Sequence, residues 1–201
     1  MDRTDPERGA LRSRKLALRR VLVANRKRTD QPERDAAGRS IRDAVLSLPE
    51  IQMAGTVAAY LSVGTEPDTR GLVYALWKRG TYVLLPLLQP DDDLDWASYE
   101  GPASLAAGPR GLLEPTEPPR GVNAVTSADL VIVPALAVDR GGMRLGRGGG
   151  SYDRALARVG ACVPTIALIY DDELLDEVPA GPLDQPVRMV AQPRQGISRL
   201  R

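Results

Sequence analysis

Four apolar runs of strand length recur along this chain of 201 residues, separated by segments with helical or turn character. They are GTVAAYLSV (55–63), TYVLLPLL (81–88), ADLVIVPALAVD (128–139) and VPTIALIY (163–170). Runs that stay apolar at consecutive positions are typical of strands buried on both faces of a parallel sheet. Alternation of such strands with helices favours the α/β class. We therefore expect a single three-layer α/β/α domain with a mostly parallel, Rossmann-like sheet.

Helices are expected between these strands. Apolar residues at helical spacing predict one helix from about Ala10 to Arg28. A second helix begins after a cap at Thr29 or Asp30 and ends at Pro49. The remaining two predicted helices cover about 68–79 and 152–160.

The rest of the chain carries weaker signals. LDWASYEG (94–101) is a further strand candidate, and the Pro- and Gly-rich stretch 101–127 is predicted to be irregular, with one short helix. Residues 171–193 are expected to form a short helix, a turn and an edge strand. We interpret residues 1–9 as a polar tail and residues 10–201 as one domain.

Composition excludes several classes of protein. The net charge of +1 gives no general attraction to nucleic acid or to an anionic membrane surface. No apolar run approaches the ~18 residues of a membrane span, and the charged N-terminus lacks the apolar stretch of a secretory signal. Cys162 is the single cysteine, which excludes an internal disulfide; we expect it to be a small buried residue beside a strand. These features predict a cytoplasmic monomer with no nucleic-acid or membrane partner.

The chain contains no histidine. This absence excludes Ser-His-Asp and Cys-His catalysis, as well as zinc held by imidazole. Chemistry must therefore depend on carboxylates, Tyr, Lys, Arg, backbone amides and a hard cation. These groups suit phosphate and nucleotide chemistry, in which positioning and charge neutralisation provide most of the catalysis.

The most unusual motif is RLGRGGGSYDRAL (144–156), which lies between a predicted strand and a predicted helix. The amides of such a turn and the following helix N-terminus form an anion-binding concavity. Arg144 and Arg147 add guanidinium groups suited to phosphate oxygens, and Asp153 is a carboxylate of the kind that holds Mg²⁺ beside phosphate. The motif is not a Walker A loop, since Arg147 replaces its lysine, nor a Rossmann fingerprint, since Ser151 replaces its third glycine. An exposed glycine turn with Asp153 as helix cap is the alternative.

The glycine motif ends the stretch LVIVPALAVDRGGMRLGRGGGSYD (130–153), and three other motifs accompany it: KLALR (15–19), YLSVGTEPDT (60–69) and LDQPV (183–187). Together and in this order they resemble the 5-formyltetrahydrofolate cyclo-ligase (methenyltetrahydrofolate synthetase) family. That family's glycine loop has the pattern R-L-G-x-G-x-G-x-Y-D, and its N-terminal element has the pattern K-x-x-L-R. The resemblance covers nearly the whole chain.

The resemblance implies an enzyme that uses MgATP to convert 5-formyltetrahydrofolate to 5,10-methenyltetrahydrofolate, releasing ADP and phosphate. The formyl oxygen would take the γ-phosphoryl group, and the other folate nitrogen would then attack the activated carbon. Because phosphorylation makes the oxygen a good leaving group, no imidazole is needed. Such an enzyme must hold two substrates in line and neutralise charge.

Each substrate has candidate ligands outside the glycine loop. Lys15 and Arg19 lie four residues apart on one helical face, and the resemblance implies that they bind ATP phosphates; a solvated basic face is the alternative. Leu61 and Glu66 resemble the pair that contacts folate, and a carboxylate can accept paired hydrogen bonds from an aminopyrimidinone edge. A loop carboxylate or a helix cap is the alternative for Glu66.

The glycine motif would contact both substrates. ATP contacts are implied for Arg144, Leu145, Gly146, Arg147, Gly148, Gly149, Gly150, Ser151 and Tyr152, and folate contacts for Arg147, Gly148, Gly149, Gly150 and Ser151. Catalysis would depend on Arg147, Tyr152 and Asp153. Asp153 and Asp184 resemble the Mg²⁺-binding carboxylates. Core packing is the alternative for Tyr152, and a turn aspartate is the alternative for Asp184.

Some positions depart from the family pattern or remain ambiguous. Ser151 replaces an aromatic residue common before the Tyr-Asp pair, and Leu183 stands where many members have histidine. The first fourteen residues extend beyond the usual start. Trp96 and Tyr99 are candidates for stacking on the aminobenzoyl part of folate, although core packing is the expected role of both.

Other functions remain open at this point. Phosphosugar isomerases and acyl-CoA transferases have related α/β sheets, and fold alone does not fix function. A non-catalytic paralogue would bind folate or nucleotide without turnover. An RNA-associated protein would use the basic first helix, although the near-neutral net charge argues against it.

Overall fold

The computed structural model describes residues 6–200. The helices are α1 (Pro6–Arg26), α2 (Gln31–Leu46), α3 (Pro49–Met53), α4 (Arg70–Lys78) and α5 (Ser151–Arg158). The strands are β1 (Thr56–Ala58), β2 (Tyr82–Leu88), β3 (Leu94–Ser98), β4 (Leu105–Ala107), β5 (Leu113–Pro115), β6 (Leu130–Pro134), β7 (Ala137–Asp139), β8 (Arg144–Leu145), β9 (Thr165–Leu168), β10 (Leu174–Leu175), β11 (Met189–Gln192) and β12 (Gly196–Arg199). Short 3₁₀ segments cover Pro102–Ser104, Pro109–Gly111, Val122–Ser127 and Asp171–Glu173.

A seven-stranded sheet in the order β12-β11-β9-β6-β1-β2-β3 forms the centre of the fold. Its five inner strands are parallel, and the outer strands β3 and β12 pair antiparallel with their neighbours. The predicted class is confirmed: the sheet is mostly parallel and has helices on both faces.

Two apolar cores cover the faces of this sheet. Successive residues of β6 point to opposite faces of the sheet and so belong to different cores. Leu130 and Ile132 belong to the core beneath α2, α3 and α4, whereas Val131 belongs to the core beneath α5. Both kinds of residue are almost completely buried. Consecutive apolar positions in the sequence therefore reflect a sheet that is buried on both faces.

The apolar run 128–139 is two strands in two sheets, which corrects the prediction of one strand entering the glycine loop. β6 ends at Pro134, which has no N–H with which to continue the ladder. β7 then pairs with β8 and β10 in a separate three-stranded sheet. The glycine loop therefore follows the short strand β8 of this second sheet.

Three further expectations need correction. The sequence predicts that β11 lies at a sheet edge, but β12 pairs outside it because the turn at 193–195 reverses the chain. The stretch 101–127 contains the β4–β5 hairpin and 3₁₀ turns rather than one short helix, since prolines and glycines interrupt any longer helix. Cys162 is exposed, because it lies in the turn between α5 and β9.

The N-terminal boundaries also differ in detail. Residues 1–5 of the predicted tail lie outside the described residues, whereas residues 6–9 form the first turn of α1. Pro6 and Glu7 suit a helix N-terminus, where a missing N–H costs nothing and negative charge is favourable. The predicted cap of α2 is confirmed at Asp30, whose carboxylate accepts the Glu33 N–H at 2.9 Å. None of the helices within residues 6–200 is both long and apolar enough to cross a lipid bilayer.

Candidate functional site

A cavity of about 840 Å³ opens where the chain leaves β1 and β6. Both strands are parallel members of the main sheet, and ligands in open α/β sheets bind at the carboxyl ends of such strands. Its lining includes every residue that the sequence placed at the site: Lys15, Arg19, Leu61, Glu66, Arg144, Leu145, Gly146, Arg147, Gly148, Gly149, Gly150, Ser151, Tyr152, Asp153 and Asp184. The four sequence motifs therefore meet around one space.

The glycine loop connects β8 to α5, and its backbone requires glycine at two positions. Gly148 has φ +115° and Gly150, the N-cap of α5, has φ +73°. L-residues with side chains rarely adopt such angles. A Cβ on Gly148 would also lie 3.4 Å from the Arg19 guanidinium carbon. Because Gly150 caps the helix, Asp153 is not its cap.

Helix α1 forms the basic wall of the cavity. Arg19 Nε donates to the Gly146 carbonyl at 2.8 Å. Lys15 Nζ donates to both carboxylate oxygens of Asp184, at 2.7 and 2.6 Å. Burial lowers the pKa of Arg19, an effect that the Asp184 charge opposes. The two basic residues thus lie on one helical face, as expected, and meet the glycine loop and the 181–184 turn.

Arg147 bridges the glycine loop and the loop that follows β1. Its Nε donates to Glu66 Oε1 at 3.0 Å, and its Nη2 donates to the Val63 carbonyl at 3.2 Å. Glu66 is buried and its Oε2 accepts the Val63 N–H, whereas the Arg147 side chain is 58% exposed. Thr69 is the N-cap of α4. The helix-cap interpretation of Glu66 is therefore wrong, and this carboxylate forms an ion pair with the Arg147 guanidinium in the cavity lining.

Arg144 has a different environment from Arg147. Its side chain is 2% exposed, and its Nη2 donates to Asp153 Oδ1 at 2.7 Å. The same oxygen accepts the Gln185 N–H at 3.2 Å. The Arg144–Asp153 pair therefore ties β8, α5 and the segment before β11 together beneath the glycine loop.

Tyr152 both lines the cavity and packs in the core. Its ring packs edge-on to Tyr60, with the centroids 6.5 Å apart, and lies 6.0 Å from the Arg144 guanidinium carbon. Burial raises the pKa of Tyr152, so it remains a neutral hydrogen-bond donor. Trp96 and Tyr99 are buried core residues, as expected, and neither belongs to the described lining.

The candidate metal ligands are the carboxylates of Asp153 and Asp184, which line the same cavity. Within residues 6–200, no group of three or more carboxylate or cysteine side chains is arranged to hold a metal. Mg²⁺ commonly takes only one or two protein carboxylates and completes its shell with phosphate oxygens and water. The donor set therefore fits a cation that arrives with a nucleotide.

Sequence reasoning missed a buried cluster beside the cavity. Arg26 Nε donates to Glu173 Oε1 at 2.5 Å, and Arg26 Nη2 donates to Glu173 Oε2 at 2.7 Å. The two residues are 147 positions apart, and no motif contains either, so no local signal in the sequence could have paired them.

Comparison with known proteins gives a consistent result. The 5-formyltetrahydrofolate cyclo-ligase family model matches residues 11–193. The chain is 40% identical over 193 residues to the 5-formyltetrahydrofolate cyclo-ligase of Mycolicibacterium smegmatis, covering 93% of this chain and 97% of that protein. It is 31% identical over 176 residues to the Escherichia coli K12 protein of the same name, covering 86% and 97%.

A solved structure agrees with these sequence relatives. The fold is similar to that of the Aquifex aeolicus 5,10-methenyltetrahydrofolate synthetase, with a TM-score of 0.80 and 28% identity over 93% of each chain. The shared fold, the match of the family model over most of the chain and the identity to two cyclo-ligases support one assignment. This chain belongs to the 5-formyltetrahydrofolate cyclo-ligase family.

Proposed function

We propose that this protein catalyses the MgATP-dependent cyclisation of 5-formyltetrahydrofolate to 5,10-methenyltetrahydrofolate, with release of ADP and phosphate. It would act as a cytoplasmic monomer in folate one-carbon metabolism. The observation that carries the proposal is the single cavity lined by both the phosphate-binding candidates and the folate-binding candidates. In-line transfer of a phosphoryl group from ATP to the folate requires that both substrates bind in the same cavity.

The basic end of the cavity suits the triphosphate. Lys15 and Arg19 lie beside the amides of the glycine loop, residues 146–150, at the N-terminus of α5. Lys15 and Arg19 are held there by Asp184 and the Gly146 carbonyl. Phosphate oxygens would take over these donors, since charge-assisted hydrogen bonds are stronger than neutral ones.

The part of the lining around Glu66 suits the pterin of the folate. Glu66 is a buried carboxylate already oriented by the Val63 N–H, and Leu61 supplies apolar surface beside it. An aminopyrimidinone edge presents two parallel N–H donors, which match a carboxylate in the same way as a guanidinium does. Arg147 occupies that carboxylate in this structure. Folate binding would free Arg147 to move towards the transferring phosphoryl group.

The proposed reaction has two steps. The formyl oxygen attacks the γ-phosphorus, the bond to the β,γ-bridging oxygen breaks, and ADP leaves. The second folate nitrogen then attacks the formyl carbon and loses its proton, and the C–O bond breaks to release phosphate. Arg147 and the loop amides would neutralise the developing charge, and the neutral Tyr152 would donate a hydrogen bond or pack against substrate.

Asp153 and Asp184 would hold Mg²⁺ together with phosphate oxygens. Bound there, the cation would neutralise phosphate charge during transfer. Arg144 orients the Asp153 carboxylate through its buried ion pair. Both oxygens of Asp184 accept hydrogen bonds from Lys15, so Asp184 would become a ligand only as Lys15 moves to phosphate.

The test mixes purified protein, MgATP and 5-formyltetrahydrofolate, and follows the near-ultraviolet absorbance of the methenyl product. We expect an absorbance rise that requires all three components and that disappears when EDTA removes Mg²⁺. Absence of any change with the complete mixture, while both ligands bind, would overturn the proposal in favour of a non-catalytic binding protein.

A further inference from the structure

We propose that Arg26, Tyr170 and Glu173 form a positioning cluster that holds the nucleotide wall and the folate wall of the cavity in register. This inference rests on the proposed function for the identity of the two walls. It assigns a role to three residues outside the motifs described above. None of them would touch a reacting atom.

The cluster fixes one end of α1. Arg26 is the last residue of this helix and is 2% exposed. Its guanidinium contacts both oxygens of Glu173, and its Nη2 also donates to the carbonyl of Ala135 at 2.7 Å. Ala135 lines the cavity immediately after β6. The end of α1 is thereby attached to the sheet edge where the substrates would bind.

The same cluster reaches the folate wall. Glu173 Oε2 accepts the Tyr170 N–H at 2.8 Å, and the Arg26 guanidinium carbon lies 5.3 Å from the centre of the Tyr170 ring. The Tyr170 hydroxyl donates to the Thr65 carbonyl at 3.2 Å. Thr65 immediately precedes Glu66. One connected group of side chains therefore joins the end of α1, the end of β6 and the loop that carries the folate candidate.

Positioning explains this cluster better than stability does. Taking an ion pair out of water costs free energy that its attraction barely repays, and apolar replacement is often neutral or stabilising. Outside this pair, α1 is shallowly docked: Leu22 is its other buried residue in the described part of the chain. Orientation of α1 therefore depends on a few directional contacts, of which Arg26 makes the most buried.

The orientation of α1 at Arg26 determines where the candidate phosphate-binding residues of this helix lie. Arg26 lies seven residues from Arg19 and eleven from Lys15, or roughly 10 and 16 Å along the axis at the usual helical rise. A small tilt at Arg26 is therefore magnified at Lys15. Loss of the anchor should misplace the phosphate donors without altering them.

The experiment compares wild type with three full-length variants. Arg26→Lys keeps the charge but cannot make the forked contact to Glu173 and Ala135. Tyr170→Phe removes the hydroxyl that contacts Thr65. Arg14→Lys is the matched control, because Arg14 also joins α1 to the 171–177 segment, through Glu177, but its side chain is 60% exposed.

We expect a split between the two Michaelis constants. Arg26→Lys should raise the KM for ATP roughly tenfold, since small misplacements of binding groups are costly, and should change the KM for folate by less than about twofold. Tyr170→Phe should raise the KM for folate alone, by about threefold, the size of one neutral hydrogen bond. Arg14→Lys should change neither. Unchanged KM values in folded Arg26→Lys and Tyr170→Phe proteins would overturn the inference.

Amide hydrogen exchange in the free protein supplies a readout that needs no turnover. Exchange over residues 6–26 should be faster in Arg26→Lys than in wild type and unchanged in Arg14→Lys. If Arg26→Lys is too unstable to use, Arg26→Met combined with Glu173→Leu serves instead, because it leaves no unpaired charge. Unaltered exchange of α1 in the variant used would contradict the inference, whereas absence of methenyl formation by wild type would contradict only the proposed function.

Discussion

At the scale of single residues, the glycine loop is shaped by backbone conformation as well as by charge. Gly148 combines φ +115° with close approach to the Arg19 guanidinium. Gly121 also has a positive φ, +89°, but a Cβ there would meet nothing within 4 Å. The two glycines share the conformational requirement and differ in the neighbour, so together they separate general backbone strain from an effect at the nucleotide site.

Gly148→Ala should therefore impair ATP binding beyond its effect on stability. Both Gly148→Ala and Gly121→Ala should lower the free energy of unfolding by about 1–3 kcal/mol, the usual range for a strained residue. Only Gly148→Ala should also raise the KM for ATP, because its strain falls on the loop whose amides would hold phosphate and its Cβ would contact the Arg19 guanidinium. Urea unfolding and steady-state kinetics on both proteins measure this. If the KM for ATP is the same in Gly148→Ala as in wild type, the loop does not contact the nucleotide.

Arg147 is exposed enough to be removed without unfolding the protein. Arg147→Ala should reduce kcat/KM by about 10²–10³, the range for loss of one charge-stabilising donor. Its free energy of unfolding should fall by about 1–3 kcal/mol, because removal of the guanidinium leaves the buried Glu66 carboxylate without its charged partner. Arg140→Ala is the control, because Arg140 forms an exposed pair with Asp176 outside the cavity lining. An Arg147→Ala protein with the full rate would refute its assigned role.

Asp153 is expected to serve structure and catalysis together. Asp153→Asn weakens the partner of the buried Arg144 guanidinium, so the free energy of unfolding should fall by about 1–3 kcal/mol. Activity should also fall, and the variant should need a higher Mg²⁺ concentration than wild type to reach half of its maximal rate. Thermal unfolding and Mg²⁺ titration of the rate measure both effects. The exposed variant Asp176→Asn should show neither, and wild-type Mg²⁺ dependence in Asp153→Asn would exclude Asp153 as a ligand.

At the scale of elements, α5 is fixed by a clamp that lies outside the cavity. Arg158 Nη1 and Nη2 donate to the two oxygens of Asp93, at 2.9 and 2.5 Å, and Arg154 lies 3.9 Å from the same carboxylate. The hydrogen bonds from Arg158 hold the pKa of Asp93 below its usual value. The ionised carboxylate therefore stabilises the native placement of α5 behind the glycine loop.

This clamp predicts a specific acid sensitivity. A carboxylate whose pKa is lowered by folding contributes stability above its unfolded pKa of about 3.9, and that stability is lost as pH falls through the folded pKa. Asp93→Asn should be less stable than wild type near neutral pH, and the difference should shrink below about pH 4. Urea unfolding at a series of pH values measures the difference. A constant difference would exclude the clamp, and the exposed variant Asp43→Asn is the control.

The strands of the main sheet could be predicted because burial on both faces leaves a continuous apolar signal. The break of 128–139 into β6 and β7 could not, since the run stays apolar while the chain changes sheet. β12 was missed because GISR carries no such signal and pairs through its backbone with β11. The exposure of Cys162 depends on the direction of one turn, which its apolar neighbours do not reveal.

In the site, as in the fold, features marked by short contiguous motifs could be predicted, whereas contacts between distant positions could not. Part of the lining could be predicted because those residues lie in compact motifs that a family pattern marks. Other lining residues belong to none of these motifs: Pro86, Leu88, Leu94, Arg110, Leu112 and Leu113. The partners of these residues could not be predicted: Lys15 pairs with Asp184, and Glu66 pairs with Arg147, across 169 and 81 positions. Such pairs depend on how the sheet orders its strands. The sequence therefore indicated residues that line the cavity, but it did not indicate the ion pairs that these residues form.

At the scale of the whole molecule, the cavity brings together segments that are far apart in the sequence. α1, the loop after β1, the glycine loop before α5 and the 181–184 turn each supply one side of it. Its volume of about 840 Å³ lies near the upper end of the range for ligand pockets, about 300–1,000 Å³. A cavity of this size, lined by both basic and acidic side chains, suits two ligands of different chemistry better than one.

The coupling of the two substrates tests this account most directly. ADP and the methenyl product should be quantified in the same reaction, with limiting 5-formyltetrahydrofolate and excess MgATP. We predict that the two products form in a one-to-one ratio and that both stop when the folate is exhausted. ADP formation that continues without folate, or methenyl formation without ADP, would contradict the account of one cavity that joins phosphoryl transfer to ring closure.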